Sequence, residues 1–364
     1  MPLLIALMLT LVMSVTSSAF YQGPLTGISQ IHSVDLDTDL AHGRVLVIGR
    51  HLYHGTFDCK AWQDDDYSTQ AKLYKRDADS LSIVSSAIFP GDGNHRNIAD
   101  IQYSPRQHRI YLLFMGGLLS SVDPESLGWC DVNQPEDIRP NEMGKVVVSS
   151  SYIYRISQTY PSTTVTQYNA DNGVELRRIT LDVPAGHGGL YAHGRLYVTT
   201  SQNDGLGSMI YVLNPETLEI WGAHRISACE NIAPDFDIIT NHDGHPSLVF
   251  GCEGRNQDKT LVNNLFIADA YWPSAYYQYS TNTTVQGGIW GVTAAHGLVY
   301  VSRGSNPATI EVVNPWARTS TIYEIPGVAG CNGGVDVVGS RIHWKAYQQM
   351  HTTNKAVIGW METN

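Results

Sequence analysis

A strand-forming phrase occurs seven times along this chain, and it constrains the fold more than any other feature. Each copy has one or two turn-forming residues, often His-Gly or Gly-Arg, followed by a short apolar run rich in β-branched and aromatic residues. The copies are anchored at residues 44, 109, 152, 195, 247, 298 and 341, so consecutive copies lie 43 to 65 residues apart. Recurrence at about 40–50 residues with little helical periodicity is typical of propeller blades. We therefore expect an all-β, seven-bladed β-propeller, with each copy marking the second strand of a blade.

A second phrase recurs in phase with the first and predicts the turn between the third and fourth strands of each blade. Its clearest copies are Asn214-Pro215-Glu216-Thr217 and Asp123-Pro124-Glu125-Ser126. The first side chain can accept hydrogen bonds from the backbone of the following residues, and proline fixes the next φ. Two phrases in phase indicate a single propeller domain over residues 20–364.

The last repeat contains only three strands, and the N-terminal segment is expected to supply the fourth. The three are Val335–Val338, Arg341–Lys345 and Lys355–Met361, and Gly27–His32 precedes the first full blade. Overlap of the two chain ends closes such a ring and leaves no exposed strand edge at the junction.

In these phrases the chain resembles secreted seven-bladed propellers built from quinoprotein- and YVTN-like repeats. The resemblance is carried by Leu196-Tyr197-Val198 and Asn214-Pro215-Glu216-Thr217-Leu218, and it covers nearly all of residues 27–364. It is a likeness at superfamily level, so it implies the fold and carries over no active site.

The charge and the N-terminus limit the classes of partner and the compartment. The formal charge of −11 disfavours nucleic acid and anionic membrane surfaces as partners. Residues 1–19 read as a signal peptide, with a short apolar run followed by Ser17-x-Ala19, so we expect a secreted protein. No other apolar stretch approaches the ~18 residues of a membrane span. Asn282 begins a glycosylation sequon, so we expect a glycan there. Separately, we expect the protein to be a monomer.

Five cysteines, none in a C-x-x-C pair, suit disulfides better than a zinc site. Cys229 precedes blade 5 and Cys252 ends that blade's second strand, so both lie on one face. Cys59 lies in the blade 1 loop and Cys331 precedes blade 7, its neighbour in a closed ring. We expect Cys229–Cys252 and Cys59–Cys331, with Cys130 unpaired on an outer strand.

In a propeller, the loops that precede the inner strands share one face with the loops between second and third strands. Ligands commonly bind on this face, over the central channel. The longest such loop is expected in blade 1, from Arg50 to about Gln70, where it would suit a lid.

This face gathers the residues expected to carry chemistry. A histidine that titrates near neutrality, with an arginine to hold an anion, suits elimination or cyclisation. The catalytic candidates are His187, His95, Tyr53, Asp235 and Arg255. The ligand-binding candidates are His51, His54, Trp62, Arg96, Asn97, Asn231, Trp290, Arg303, Asn332 and Tyr347.

Three functions fit the sequence. The first is a secreted enzyme of the lyase or cyclase type, without an organic cofactor, acting on a small molecule or saccharide by acid/base chemistry; examples are secondary-metabolite cyclisation and uronic-sugar elimination. The second is a non-catalytic glycan- or protein-binding propeller. The third is a calcium-dependent hydrolase resembling lactonases, and its metal ligands would be Asn97, Asn231, Asp235 and Asn332.

Overall fold

The computed structural model describes thirteen stretches of the chain. They are residues 28–36, 44–57, 70–91, 94–133, 144–159, 161–183, 186–200, 207–229, 231–253, 264–279, 288–331, 334–349 and 353–363. All the regular structure in these stretches is β-strand, and accordingly they include no helix long and apolar enough to cross a membrane.

Thirty strands follow one another along the chain. The first seventeen are β1 (Ile28–Asp35), β2 (Val45–Ile48), β3 (His51–Gly55), β4 (Lys72–Asp77), β5 (Ile83–Ile88), β6 (Ile98–Ser104), β7 (Arg109–Phe114), β8 (Leu119–Val122), β9 (Trp129–Asn133), β10 (Gly144–Val148), β11 (Tyr152–Thr159), β12 (Ser162–Asn169), β13 (Glu175–Leu181), β14 (Gly186–Ala192), β15 (Arg195–Thr200), β16 (Ser208–Leu213) and β17 (Ile220–Ile226). The others are β18 (Asn231–Ile232), β19 (Asp237–Thr240), β20 (Pro246–Glu253), β21 (Leu265–Asp269), β22 (Tyr276–Tyr279), β23 (Ile289–Ala295), β24 (Leu298–Arg303), β25 (Ala308–Asn314), β26 (Thr319–Ile325), β27 (Ala329–Cys331), β28 (Asp336–Val338), β29 (Arg341–Gln349) and β30 (Thr353–Thr363).

These strands form seven antiparallel sheets, and each sheet is one blade of a propeller. Blades 1 to 4 are β2–β5, β6–β9, β10–β13 and β14–β17, and blades 5 and 6 are β18–β22 and β23–β26. In blades 5 and 7 the innermost position is shared by two short strands, β18 with β19 and β27 with β28. The seven-bladed propeller expected from the repeats is confirmed.

Blade 7 combines both ends of the chain. Strand β1 pairs antiparallel with β30, in a register that places Ile31 opposite Met361 and Val34 opposite Ile358. Strand β30 pairs in turn with β29, so β1 is the outermost strand of a sheet whose other strands are C-terminal. The predicted closure by terminal overlap is confirmed, because the edge of β30 is covered by an N-terminal strand.

The predicted turns between third and fourth strands form as expected. The Oδ1 of Asn214 accepts hydrogen bonds from the backbone N–H groups of Glu216 at 2.8 Å and Thr217 at 3.2 Å. The turn ends at Leu218, whose φ of 58° is unusual for a residue with a side chain. Burial of Leu218, only 1% exposed, offsets the cost of this backbone conformation.

Four tyrosines at the same position of the second strand connect neighbouring blades. Each hydroxyl donates a hydrogen bond to a backbone carbonyl in the turn between the third and fourth strands of the next blade. The pairs are Tyr53 with Pro124 at 2.8 Å, Tyr111 with Ala170 at 3.3 Å, Tyr154 with Pro215 at 2.8 Å and Tyr197 with Ala270 at 2.9 Å. These tyrosine bridges give the buried hydroxyls a partner and join blades 1 to 5 in series.

The assignment of strands in blade 1 differs from the sequence prediction. The phrase anchored at Arg44 forms the innermost strand β2, and the second strand is β3, which begins at His51. Gly49, with a φ of 60°, makes the turn between them. The connection between the second and third strands therefore begins after Gly55, the end of β3, and not at Arg50. The prediction missed this because β2 is itself a short apolar run preceded by turn residues.

A disulfide joins Cys229 to Cys252, with 5.7 Å between their Cα atoms, as predicted. Both cysteines are buried in the apolar cluster between blades 4 and 5. Cys130 lies on the outer strand β9, exposed and with a free thiol. Cys59 and the side chain of Cys331 lie outside the described residues, so their pairing stays a prediction.

Replacement of one bridging tyrosine should weaken the ring. In Tyr197→Phe the Ala270 carbonyl oxygen loses the hydrogen bond from the phenol, and we expect the free energy of unfolding to fall by about 1–2 kcal/mol. Tyr300→Phe is the matched control, because Tyr300 holds the equivalent position in β24, is 6% exposed and makes no hydrogen bond through its hydroxyl to a described residue. Urea unfolding of both variants measures the difference, and equal losses would contradict the bridging role.

Candidate functional site

Four charged side chains from four different blades meet at the propeller axis. The Nζ of Lys145 lies 2.6 Å from Asp235 Oδ1 and 3.3 Å from Asp100 Oδ1. The guanidinium of Arg44 contacts the same two carboxylates, at 2.8 Å to Asp235 and 3.5 Å to Asp100. The side chains of Asp100, Lys145 and Asp235 are at most 6% exposed, and that of Arg44 is 25% exposed. We call these four residues the axial ion network.

Charge balance and backbone hydrogen bonds offset the cost of removing these four charged groups from water. Two cations face two carboxylates, and the second oxygen of each carboxylate accepts a backbone N–H, from Val146 at 3.1 Å for Asp100 and from Gly334 at 2.8 Å for Asp235. Burial disfavours ionisation of Asp235, but Arg44 and Lys145 outweigh it and hold the pKa of this carboxyl well below its usual range. Asp235 is therefore ionised at neutral pH.

A cavity of about 410 Å³ adjoins the axial ion network. Its walls are formed by the inner strands of several blades, in the part of each strand that lies nearest the turn to the second strand of the same blade. Arg44 and Asp235 lie at the end from which these strands start. The charged residues of its lining are Arg44, Asp235, Asp237 and Asp336. Its apolar lining is Val45, Leu46, Val47, Ile101, Tyr103, Leu190, Phe236, Val292, Ala294, Ala295, Val335 and Val337. We call it the axial cavity.

Asp237 and Asp336 hold equivalent positions on the inner strands of blades 5 and 7. In each, Oδ2 accepts a backbone N–H from the inner strand of the next blade, Ala294 at 2.8 Å for Asp237 and Val47 at 2.6 Å for Asp336. Burial raises the pKa of both carboxyls above the usual value, although these backbone donors act in the opposite direction. The axial cavity thus contains carboxyls of two kinds. The pKa values of Asp237 and Asp336 are raised, whereas the pKa of Asp235 is lowered.

Of the predicted catalytic residues whose side chains the structure describes, only Asp235 is a lining residue of the axial cavity. Tyr53 is buried and belongs to the tyrosine bridges. His95 packs against Phe114 and Trp129 and has its Nε2 3.0 Å from Asp131 Oδ1, within its own blade. Arg255 and the side chain of His187 lie outside the described residues.

The predicted ligand-binding residues are dispersed over several blades. Arg303 is fully buried and pairs with Glu311 at 2.6 Å, and His54 is buried with its Nε2 3.0 Å from the Nε of Arg76. Arg96 and Asn97 are buried in blade 2, and His51, Asn231, Trp290 and Tyr347 are partly exposed on strands β3, β18, β23 and β29. Trp62, Asn332 and the sequon Asn282 lie outside the described residues.

Within the described residues, one member of the donor set proposed for calcium, Asp235, is already engaged by cations and a backbone N–H. Calcium needs six to eight oxygen ligands, but the carboxylate oxygens of Asp235 are taken by Arg44, Lys145 and the Gly334 N–H. The amide nitrogen of Asn97 contacts the sulfur of Met115 at 3.8 Å. Within the part of the chain that the structure describes, no three His, Cys, Asp or Glu side chains are arranged to hold a metal.

Sequence reasoning missed Arg44 and Lys145 of the axial ion network, although a signal was present. Arg44 and Lys145 each stand immediately before an apolar strand run, Val45–Ile48 and Val146–Val148, so each begins an inner strand. A charged residue at the start of an inner strand points to the axis of a propeller, where it needs a partner of opposite charge.

No known family model matches the chain, and no curated protein matches it in sequence. Function must therefore be inferred from the chemistry of the site.

The axial ion network should be sensitive to loss of one carboxylate. Asp235→Asn leaves Arg44 and Lys145 with Asp100 as the shared anion, and we expect it to lower the free energy of unfolding by about 3–5 kcal/mol. The control is Glu175→Gln, which removes an exposed ion pair with Arg178 and should cost less than about 1 kcal/mol. Similar losses in a denaturant titration would mean that the network contributes no more than a surface pair.

Lys345 provides a test of burial by pH. It is buried between blades 7 and 1, its Nζ donates to the Gly55 carbonyl oxygen at 2.9 Å, and burial lowers the pKa of Lys345 from 10.5 to about 7. Between these values the unfolded chain binds more protons than the folded chain, so stability rises with pH. Relative to Lys345→Met, the wild type should gain up to about 1.4 kcal/mol per pH unit from pH ~7 to ~10. Parallel stability curves for the two proteins would contradict this.

Proposed function

We propose that this propeller is an enzyme of the cyclase or lyase type that acts on a small, uncharged molecule in the axial cavity by acid/base chemistry. The observation that carries the proposal is the presence of Asp237 and Asp336, two carboxyls with raised pKa, in the lining of one cavity. Perturbed titratable groups that converge in a cleft are typical of catalytic sites.

The lining favours an uncharged substrate over a uronic sugar. A carboxylated sugar would meet Asp235, Asp237 and Asp336 at close range, and Arg44, the cation of the described lining, is already paired with Asp235. At about 410 Å³ the cavity has the size of small-molecule sites. Among the reactions expected from the sequence, cyclisation of a secondary metabolite therefore fits better than uronic-sugar elimination.

The chemistry follows from two carboxyls in different protonation states. One of Asp237 and Asp336, protonated, donates its proton to a carbonyl, epoxide or double bond of the substrate, and an internal nucleophile attacks the resulting electron-poor carbon. The other, ionised, accepts the proton that the cyclised product loses, so the product keeps the mass of the substrate. No organic cofactor is required.

We further propose that the protein is secreted and that its repeats are of the quinoprotein and YVTN type. The Cys229–Cys252 disulfide supports an oxidising compartment. Phrases such as Leu196-Tyr197-Val198 support the repeat type. Residues 1–19, which carry the signal-peptide prediction, lie outside the described residues.

The test is a search for conversion at constant mass. Purified protein is incubated with neutral polyketide- and terpenoid-type precursors, and chromatography with mass detection follows a change in retention without a change in mass. Asp237→Asn and Asp336→Asn keep an oxygen for the backbone N–H of the next blade but cannot exchange a proton, so each should lower turnover by about 10²–10⁴-fold.

Asp243→Asn is the control for this experiment. Asp243 lies in the turn between β19 and β20, its side chain is 71% exposed, and it is not part of the cavity lining. Turnover that survives in Asp237→Asn and Asp336→Asn as it does in Asp243→Asn would overturn the acid/base assignment.

A further inference from the structure

We propose that an exposed aromatic surface on blades 4 and 5 binds an acidic polysaccharide, independently of the axial cavity. The surface consists of Arg195, Trp221, Tyr271 and Trp272, and we call it the rim aromatic patch. Trp221 lies on the outer strand β17 of blade 4, and Tyr271 and Trp272 lie in the turn between β21 and β22 of blade 5. The patch is therefore built by two neighbouring blades.

The three rings are unusually exposed for their size. Trp221 is 48% exposed, Tyr271 44% and Trp272 62%. Large aromatic side chains that remain in water on adjoining elements mark binding surfaces more often than isolated exposed residues do. The faces of these rings are electron-rich, so they attract the weakly positive C–H groups on the flat side of a pyranose.

The rings of blade 5 are held in place before any ligand arrives. The Oδ1 of Asp269 accepts hydrogen bonds from the backbone N–H groups of Tyr271 at 2.7 Å and Trp272 at 2.8 Å. The imidazole of His224 lies edge-on to Trp272, with 5.0 Å between ring centroids. The Nε2 of His245 lies 2.6 Å from Asp269 Oδ2, which fixes the carboxylate that orders the turn. Such preorganisation lowers the entropy lost on binding.

Arg195 supplies the charge that selects an acidic ligand. Its guanidinium lies 4.5 Å from the centroid of Tyr271 and 5.3 Å from that of Trp221, so it is stacked against both rings. Among the described residues it has no hydrogen bond or ion pair, while the nearby Asp269 is paired with His245. A stacked guanidinium with unused N–H groups is suited to a carboxylate in bidentate geometry.

These features together favour a polyuronate over a protein partner. Each sugar of such a polymer presents an apolar face for a ring and a carboxylate for Arg195. The rings stand 44–62% exposed on the outer part of two blades, so they are open to an extended polymer. A polymer lying across the rings can contact them all without a deep pocket.

Electrophoresis of the native protein through gels containing polygalacturonate tests the proposal, with gels containing its fully methyl-esterified form as the neutral arm. The wild type should be retarded by polygalacturonate. Trp221→Ala and Trp272→Ala should each weaken its apparent affinity at least about tenfold, since each removes one stacking ring. Arg195→Gln should lose most of the preference for the acidic polymer over the esterified one.

Trp316→Ala is the matched control, because Trp316 is a 39%-exposed tryptophan in the corresponding turn of blade 6, outside the patch. It should bind polygalacturonate as the wild type does, and so should Asp237→Asn, whose defect concerns the axial cavity alone. Absence of retardation in the wild type, equal loss in Trp316→Ala, or binding to anionic phospholipid vesicles in place of polygalacturonate would each overturn the proposal.

Discussion

Pairing of buried charge at the axis is the constraint on which this ring depends. Arg44, Asp100, Lys145 and Asp235 come from four blades, and each is stabilised in a low-dielectric interior only while the others are present. The network therefore links blades that are distant in sequence. Displacement of blade 1, 2, 3 or 5 would separate one of these charges from its partners, which disfavours alternative arrangements of those blades.

Two further sets of hydrogen bonds extend this connection outwards. Asp237 and Asp336 accept backbone N–H groups from the next inner strand, and the tyrosine bridges, such as Tyr154 to Pro215, join second strands to the turns of the next blade. These contacts leave a free cavity between the inner strands. The site proposed for chemistry is thus a by-product of how the blades are held together, and under the proposed function its carboxyls serve both purposes.

Much of the architecture could be read from the sequence because local rules dominate it. The turns that begin at Asn214 and Asp123 follow from side-chain hydrogen bonding within three residues. The Cys229–Cys252 bond followed from counting strands within one blade. Tyr53 shows the limit: with the blade 1 anchor placed one strand too early, it was assigned to a loop and to catalysis. In the correct register it aligns with Tyr111, Tyr154 and Tyr197 as a bridge.

The sequence by itself determined the number of blades, the turns and the closure by terminal overlap, because each depends on residues close together in the chain or on a regular repeat. Only the tertiary structure decided which charges meet at the axis and that Asp237 and Asp336 share one cavity. It also decided that Trp221 of blade 4 adjoins Tyr271 of blade 5 through Arg195. The physical reason is that the side-chain directions and packing of separate blades determine those encounters, and neither is encoded in the local pattern of any one blade.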